Sequence, residues 1–559
     1  MKMLKRLTLL ALAGLVVVPA AVAQQNESGT PVSGGWVPRV ARKPDPSKIV
    51  VPKGYKVEVF AGGLDTASAA TVDREGNVWV AISGNLFGPF EYEYGGQRIK
   101  NPVSGPHIKV FNKDGQHLKD IGVGKFGFVM NEIGYCAENN KVYIPEYSQH
   151  IWEIDGVNGE LKKIMTAMPQ GDHQIGGITC KDGYLYWALG FPSNTGFADP
   201  DNHGWTDVVD PFWEKHGDPA LPKTMRDPVC RDIVHTGLNV KSSDGRMTGA
   251  LKPVGVPAKP GEVIKAQVPC GGSVMRVRID RKGADGMYRH EDMEVYALGF
   301  RNQAGVAFGP KGSRFESALA VSDNGANDLG HRRIANGSEA IWLVTEKGQD
   351  AGFPDKQGFQ FVTNKRFSVI PYNGAKVDRP HPQLYIGDKP WVPTMPPYRF
   401  PPHVEGVRGV PLIVANPNPN GYINPVMEWD TNNPMDGIAW GDERFGAKDS
   451  LFGAVFGIID NGPESLVPTW PAVVKVEFLS PAGVKWSYFA RNIDMGPNAY
   501  QKPENRGGLE RTNDVVFSND GKTMYIVDYG ELYVDYSMPS PFFQTAKSSV
   551  IWKVTYTGQ

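Results

Sequence analysis

The stretch YALGFRNQAGVAFGPKGSRFESALAVSDNGANDLGHRRIANGSE, at residues 296–339, holds two apolar strands on either side of a Gly-Pro-Lys-Gly turn. The first of these strands alternates in polarity over residues 305–308, which is typical of a half-buried strand. Arg301 and Asn302 stand just before it, and the polar loop SDNGAND follows the second strand at residues 322–328. If both polar segments reach the same edge of one sheet, we expect them to form a site.

The same strand–turn–strand unit recurs along the chain. Six copies are present, at residues 70–81, 134–146, 176–190, 305–323, 437–457 and 514–530. A third strand follows several of them, as at residues 149–154, 340–344 and 550–554. Six repeats of such a unit predict a six-bladed β-propeller, in which each blade buries its faces against its neighbours. A pair of β-sandwiches is the alternative, although it would not show this repeated unit.

The composition agrees with an all-β protein. The 559 residues include 65 Gly, 45 Pro, 25 Phe, 21 Tyr and 13 Trp, and long amphipathic helical patterns are scarce. We assign the propeller domain to residues 50–559. It carries two long insertions, at about residues 191–291 and 352–433, which we expect to wall the mouth of the central channel.

The chain begins with a pattern typical of a secretory signal peptide at residues 1–23. A basic start is followed by an apolar run and by the small-residue motif Ala21-Val22-Ala23, and residues 24–49 form a polar, extended lead-in. A membrane anchor is the alternative, but the apolar run is short and Ala-rich. We therefore expect a periplasmic or secreted protein with no membrane span after signal removal.

The net charge of the chain indicates which classes of binding partner are unfavourable. The formal net charge is −1 at pH 7, and it becomes more negative when Lys2, Lys5 and Arg6 leave with the signal peptide. No basic stripe is present, which argues against nucleic acid as a partner.

The four cysteines have neither zinc-type spacing nor a CxxCH haem motif. In an oxidising compartment they are candidates for disulfides, and we expect Cys136 to pair with Cys180 and Cys230 with Cys270. Buried free thiols are the alternative, because sequence alone does not determine pairing. Without a haem motif, redox chemistry would need a separate electron acceptor.

Residues at the start of each innermost propeller strand face the central axis, so six distant positions share one small volume. These positions are rich in His, Arg, Asn and carboxylates: Ser68, Ala69, Asn131, Glu132, Asp172, His173, Gln174, Arg301, Asn302, Gln303, Met435, Asp436, Arg511, Thr512, Asn513 and Asp514. A histidine such as His173 can accept a proton from a substrate hydroxyl while Asp172 orients it. Arg301 and Arg511 suit an anionic planar cofactor or a developing oxyanion. The alternatives are a structural histidine and an aspartate that begins a turn.

The loop at residues 323–328, DNGAND, is rich in oxygen ligands, and Gly325 allows carbonyls to turn inward. Hard cations such as calcium favour this composition, whereas the alternative is a hydrogen-bonded turn without metal. We interpret His331-Arg332-Arg333 as a solvated basic run, and the alternative is that it reaches the site.

Three motifs together resemble the glucose/sorbosone dehydrogenase family. They are GDHQIGG at 171–177, LGFRNQAGVAFGPKG at 298–312, and SDNGAND with SEAIWLVTEKGQDAGFPD between 322 and 355. The resemblance covers most of the propeller outside both insertions. It implies a six-bladed quinoprotein that binds pyrroloquinoline quinone (PQQ) and Ca2+.

The resemblance also implies roles for single residues. His173 is the general base, Asp172 orients it, and Arg301 stabilises the reduced quinone oxygen. The implied cofactor contacts are Asn131, Gln174, Asn302, Arg511 and Asn513, and the implied calcium ligands are Gly325, Ala326, Asn327 and Asp328. Asn513 stands where the family has a second arginine, the fifth repeat lacks the family's lysine, and only Glu339 remains of an acidic pair.

Three functions follow from these residues. The leading hypothesis is a PQQ- and calcium-dependent dehydrogenase that oxidises a sugar, a sugar-derived aldehyde or another alcohol. It would pass electrons to a separate acceptor, such as a periplasmic cytochrome or a quinone. The alternatives are a calcium-dependent lactonase or related hydrolase of the gluconolactonase type, with Asn131, Glu132, Asn302 and Asp436 as ligands, and a non-catalytic ligand-binding propeller.

Overall fold

The structure of the protein is a computed structural model. The residues that it describes contain no α-helix, which confirms the all-β prediction. They are 31–32, 35–36, 42–84, 91–94, 97–100, 103–127, 130–146, 150–166, 168–169, 171, 173, 175–197, 227–241, 245, 247–253, 255–327, 332, 334, 337–367, 384–390, 398–400, 404–406, 410–431, 433–457, 470–479, 483–494, 507–534 and 542–558. Within these ranges no helix is long and apolar enough to cross a bilayer. Short 3-10 turns occur at Pro46–Lys48, His290–Asp292, Lys365–Phe367 and Glu443–Phe445.

Six large antiparallel sheets, numbered in chain order, contain the six predicted strand–turn–strand units. Sheet 1 consists of Ala67–Val72, Val78–Ile82, His107–Phe111 and His117–Ile121, and sheet 2 of Gly134–Cys136, Lys141–Glu146, His150–Asp155 and Lys162–Met165. Sheet 3 consists of Ile175–Lys181, Tyr184–Leu189, Ser273–Arg278, Glu294–Leu298 and Gln349–Asp350, of which the last two are parallel, and sheet 4 of Gln303–Phe308, Leu319–Asp323, Ser338–Val344 and Met427–Thr431. Sheet 5 consists of Met435–Trp440, Ser450–Val455, Ala472–Phe478, Val484–Asn492 and Ile49–Val50, and sheet 6 of Thr512–Phe517, Thr523–Asp528, Ser549–Tyr556 and Tyr55–Leu64.

The first strand of each sheet is its inner strand, and it contacts the inner strands of the neighbouring sheets. These contacts run from sheet 1 to sheet 6 in order, and the inner strand of sheet 6 contacts that of sheet 1. Glycines permit the close approach. A Cβ at Gly176 would collide with the Gln303 carbonyl, and one at Gly305 would collide with the Asp436 carbonyl. The six inner strands therefore surround one common axis.

The hydrophobic core lies between neighbouring sheets. Trp79 of sheet 1 is fully buried in one cluster with Val142 and Ile144 of sheet 2. Trp552 of sheet 6 is buried in another cluster with Phe452 of sheet 5. Each sheet is covered on both faces in this way, which explains why its central strands are apolar almost throughout.

The two ends of the described chain meet in the last sheets. Tyr55–Leu64 pairs with Ser549–Tyr556 along its whole length, and Ile49–Val50 pairs with the end of Val484–Asn492. An early strand thus completes sheet 6, and a second early strand extends sheet 5.

The two predicted insertions contain strands that pair with each other. Leu238–Lys241 lies between Met247–Gly249 and Leu384–Ile386, and the latter pairs with Lys389–Pro390. Two-stranded ribbons complete the described secondary structure: Pro31–Val32 with Gly35–Trp36, Glu91–Tyr94 with Gln97–Lys100, Ile233–Val234 with Val263–Ile264, Lys356–Gln357 with Gln360–Phe361, Tyr398–Phe400 with Val404–Gly406, and Leu532–Val534 with Phe542–Gln544.

Both predicted disulfides are confirmed. Cys136–Cys180 joins the inner strands of sheets 2 and 3, and Cys230–Cys270 joins two segments of the first insertion. The described residues contain no unpaired cysteine.

A buried ion pair ties the start of the described chain to sheet 6. Arg42 Nη2 lies 2.6 Å from Asp528 Oδ2, and the two side chains are 2% and 0% exposed. Asp528 also accepts hydrogen bonds from the backbone N–H groups of Glu510 and Arg511 and from the Trp552 indole. It therefore fixes the segment that leads into the inner strand of sheet 6.

We predict that Asp528→Asn lowers the free energy of unfolding by about 3 kcal/mol, because Arg42 would be left buried without its main counter-charge. Chemical denaturation monitored by tryptophan fluorescence measures this change. Asp520→Asn, in the exposed turn of the same hairpin, is the control and should be nearly neutral. Equal effects of the two substitutions would contradict the assigned role.

Candidate functional site

The site forms where the inner strands begin. In five of the six sheets the pairing of the first two strands shifts register within the first residues of the inner strand, at Ala67/Ala69, Ile175/Ile178, Gln303/Val306, Met435/Ile438 and Thr512/Asp514. Such bulges redirect side chains and are common next to functional sites. They present the polar residues that precede each apolar run.

His173 is buried, with 6% of its surface exposed, just before the inner strand of sheet 3. Its Nδ1 lies 2.7 Å from the Phe191 carbonyl oxygen. Because a carbonyl can only accept, Nδ1 carries the proton in this contact and Nε2 is the basic nitrogen of the neutral ring. Burial, reinforced by the positive charge of Arg301, holds the pKa of His173 well below its ordinary value. The imidazole is therefore neutral at neutral pH.

Arg301 is 2% exposed and lies just before the inner strand of sheet 4. Its guanidinium donates from Nε to the Asn194 carbonyl (3.1 Å), from Nη2 to Asn194 Oδ1 (2.6 Å) and from Nη1 to the Asn324 carbonyl (3.1 Å). These three acceptors are uncharged. Arg301 is thus a buried cation whose orientation is set by amide oxygens.

The two polar segments of residues 296–339 meet, as the sequence predicts. Asp323 Oδ1 accepts hydrogen bonds from the backbone N–H groups of Arg301 (3.0 Å) and Asn302 (2.8 Å). Burial raises the pKa of Asp323 to about 6, although these two hydrogen bonds oppose the shift. Asp323 therefore links the start of the inner strand to the loop that follows the second strand of sheet 4.

The loop at residues 325–327 is held from three sides. The N–H of Gly325 donates to Glu339 Oε2 (2.8 Å), that of Ala326 to Gln357 Oε1 (3.3 Å) and that of Asn327 to Asn194 Oδ1 (3.1 Å). Burial raises the pKa of Glu339 to about 8.

The calcium role of this loop stays a prediction, and Asp328 lies outside the described residues. Within the described part of the chain, no group of three or more His, Cys, Asp or Glu side chains is placed to hold a metal ion. The calcium ligands implied by the resemblance are chiefly backbone carbonyls, whereas a cluster of His, Cys, Asp or Glu would bind a metal ion through side chains.

Three further carboxyl groups from three sheets act on one another near the axis. Burial raises the pKa of Glu132 well above its ordinary value, and the charges of Asp514 and Asp436 add to this shift. Burial likewise raises the pKa of Asp436 to about 6 and that of Asp514 to about 7. Glu132 Oε1 and Asn131 Oδ1 are buried and have no hydrogen-bond partner among the described residues. This region disfavours additional negative charge.

The sixth sheet contributes one further arginine. Arg511 is 4% exposed, and its guanidinium lies 5.2 Å from the centre of the Phe456 ring. Asn513, which the resemblance places at a cofactor contact, donates its amide to the Ser68 carbonyl and so joins the inner strands of sheets 6 and 1. The cofactor roles of both residues stay predictions.

Two of the predicted site residues around His173, Asp172 and Gln174, lie outside the described residues. The interpretation of residues 331–333 as a solvated basic run is wrong for Arg332, which is fully buried. Its Nη2 lies 2.6 Å from Asp355 Oδ1, and its Nη1 donates to the carbonyls of Thr195 and Pro354. His331 and Arg333 lie outside the described residues.

Sequence reasoning missed Asn194 and Phe191, which hold Arg301 and His173. Both residues stand at the start of the first insertion, in the segment FPSNTGF at 191–197. No residue pattern in that segment shows that it supports the site, because its role depends on contacts with residues that are distant in the sequence.

Comparisons with known proteins give structural likenesses only. No protein-family model matches the sequence, and no curated protein matches it. Similar solved structures include the PQQ domain of pyranose dehydrogenase from Coprinopsis cinerea in its holo form (12% identity, TM-score 0.46, covering 91% of this chain and 97% of that one). Another is the calcium structure of the Trichoderma reesei carbohydrate-active enzyme of family AA12 (10%, 0.47, 92% and 98%). A third is the soluble aldose sugar dehydrogenase of Escherichia coli in its apo form (14%, 0.43, 90% and 99%).

These structures are of the kind that the sequence resembles.

We predict that Glu132→Gln stabilises the protein increasingly as the pH rises above the ordinary pKa of a glutamate, because the pKa of Glu132 is raised well above that value. A carboxyl group whose pKa is raised in the folded state contributes stability at low pH and loses it as the pH rises through that pKa. Glutamine stays neutral throughout. Thermal unfolding at a series of pH values measures the difference from the unsubstituted protein.

Glu160→Gln, at an exposed position, is the control and should show no pH-dependent gain. A constant difference between the Glu132→Gln variant and the unsubstituted protein over this pH range would contradict the burial of an ionisable carboxyl group.

Proposed function

We propose that the six sheets form a six-bladed β-propeller and that the chain is a periplasmic or secreted dehydrogenase oxidising a sugar, a sugar-derived aldehyde or another alcohol. The observation that carries the proposal is His173, a buried neutral imidazole with a fixed tautomer, close enough to Arg301 to be influenced by its charge. A base and a cation placed together suit the removal of a proton from a hydroxyl group.

His173 would accept the hydroxyl proton of the substrate at Nε2. The Phe191 carbonyl holds the N–H of the other ring nitrogen and so keeps the basic lone pair on Nε2. The His173 ring must be neutral at the working pH, because an imidazolium cannot accept a proton. Burial keeps the ring neutral by lowering its pKa.

Arg301 would stabilise negative charge that develops when the substrate is oxidised. Its guanidinium is fixed by amide oxygens before any ligand arrives, so little reorganisation is needed during the reaction. The same charge opposes protonation of His173 from solvent.

Oxidation of a hydroxyl group requires a hydride acceptor, and the residues present fit PQQ with Ca2+ at the quinone end. Gln303 has both amide atoms buried without a hydrogen-bond partner among the described residues, and the same is true of Asn324 Oδ1. These polar atoms lie on the two segments that flank Arg301. When bound, PQQ would supply an ortho-quinone as the hydride acceptor, and Ca2+ would supply Lewis acidity.

The residues that would hold the cofactor follow from the resemblance. Asn302 and Arg301 would contact the quinone, Asn131, Gln174 and Asn513 would give further polar contacts, and the carbonyls of Gly325 and Ala326 would bind Ca2+ beside Asn327 and Asp328. Arg511 would hold a carboxylate of the cofactor. It would do so without the second arginine and the lysine of the family, which predicts weaker cofactor binding. The reduced cofactor would be reoxidised by a separate electron acceptor.

A second candidate is a calcium-dependent lactonase or related hydrolase. Glu132 Oε1 and Asn131 Oδ1 are buried without a hydrogen-bond partner in the part of the chain that the structure describes, and Asp436 lies close enough to Glu132 to act on its charge, which favours a cation on the axis. Activity that needs Ca2+ but no quinone, and that releases acid rather than electrons, would select this function.

The deciding experiment is reconstitution of the purified protein with PQQ and Ca2+. We expect a shifted quinone absorbance and dye-linked oxidation of an aldose or another alcohol. Failure to bind PQQ at micromolar concentrations would reject the proposal.

His173→Gln should lower kcat by about 10²- to 10⁴-fold while PQQ still binds, because only the proton acceptor is removed. His117→Gln, at an exposed histidine of sheet 1, is the matched control and should keep full activity. Unchanged turnover in the His173→Gln variant would exclude His173 as the base.

A further inference from the structure

We propose that Asn194 is a positioning residue of this site, which fixes the guanidinium of Arg301 and joins it to the loop at residues 324–327. The assignment of Arg301 as a catalytic group rests on the proposed function, whereas the coupling through Asn194 rests on contacts alone.

Asn194 contacts Arg301 with its backbone and its side chain, and it contacts Asn327 with its side chain. Its carbonyl and its Oδ1 accept from Nε and Nη2 of Arg301. The same Oδ1 accepts from the N–H of Asn327 (3.1 Å), and Nδ2 donates to the Asn327 carbonyl (3.0 Å). Asn194 is only 2% exposed. One amide group therefore connects the cation to the loop that follows the second strand of sheet 4.

The chemistry of this position requires an amide. The oxygen accepts two hydrogen bonds, which uses both of its lone pairs, while the nitrogen donates to a carbonyl. Aspartate would keep the acceptors but lose the donor, and it would place a negative charge beside Arg301. A shorter side chain such as serine would lose most of these contacts.

The segment that carries Asn194 is itself held by the first insertion. The Ser193 N–H donates to Asp227 Oδ1 (2.8 Å), and the Phe191 N–H donates to the Arg301 carbonyl (2.6 Å). Asp227 lies three residues before Cys230, which is bonded to Cys270. Asp227 of the first insertion therefore supports the segment at Ser193, next to Asn194, and the backbone of Arg301 supports it at Phe191.

The hydrogen bonds from Asn194 have an electrostatic consequence. Asp323 and Glu339 are buried close enough to Arg301 for its charge to oppose the rise in their pKa values. These carboxyl groups attract the guanidinium. Its hydrogen bonds to Asn194 help to fix its position relative to His173 and to these acids.

The test compares Asn194→Asp and Asn194→Ser with Asn239→Asp. Asn239 is the matched control, because it is 1% exposed and donates its amide to the carbonyls of Gly237, Ala258 and Gly387 within the inserted sheet. The first readout is the titration of His173 by nitrogen NMR of histidine-labelled protein, assigned with the His173→Gln variant. The second readout is kcat in the dye-linked assay.

We expect both Asn194 variants to raise the apparent pKa of His173 by about one unit or more, since the effect of Arg301 on it is reduced. We also expect kcat to fall by about 10²-fold with a smaller change in KM. Asn239→Asp should lower the melting temperature without moving the titration.

An unchanged His173 titration in the folded Asn194→Ser and Asn194→Asp proteins would overturn the proposal and leave Asn194 a purely structural residue. The titration needs neither cofactor nor substrate. A protein without dehydrogenase activity but with the shifted titration would therefore reject the proposed function and still support the coupling.

Discussion

The backbone hydrogen bonds between Tyr55–Leu64 and Ser549–Tyr556 are the interaction on which the rest of the structure depends. They place an early strand at the outer edge of the last sheet, so that sheet 6 packs between sheets 5 and 1. The inner strand of sheet 6 then contacts those of both neighbours. Without this pairing, Asp514 would not face Ala70 and Glu132, which stand several hundred positions earlier in the sequence.

The site combines two arginines with several buried carboxyl groups, and burial sets the protonation of the acids. Because burial raises the pKa values of Glu132, Glu339, Asp436 and Asp514, part of the negative charge is absent at neutral pH. The hydrogen bonds from the Arg301 guanidinium to Asn194 and Asn324 go to amide oxygens, which do not titrate. These contacts therefore do not depend on the protonation of the neighbouring carboxyl groups.

The sequence pattern predicts the strands well but places their starts too late. Alternation indicates inner strands from residues 305, 437 and 514, whereas the strands begin at Gln303, Met435 and Thr512. The missing residues lie in the register shifts, and most of them are polar: Gln303, Asp436, Thr512 and Asn513. The meeting of Arg301 and Asn302 with the loop at 322–328 was predictable, since both are close in sequence to one strand pair. The roles of Asn194 and Arg332 were not, because their contacts join segments far apart in the chain.

The pairing of the first long strand with the last one also constrains how the protein is made. Tyr55–Leu64 leaves the ribosome several hundred residues before its partner, Ser549–Tyr556. The early strand must stay unpaired until that partner has been made, and an unpaired strand is open to aggregation. A chain cut short before Ser549 cannot finish sheet 6. Such fragments would be natural substrates for chaperones and proteases.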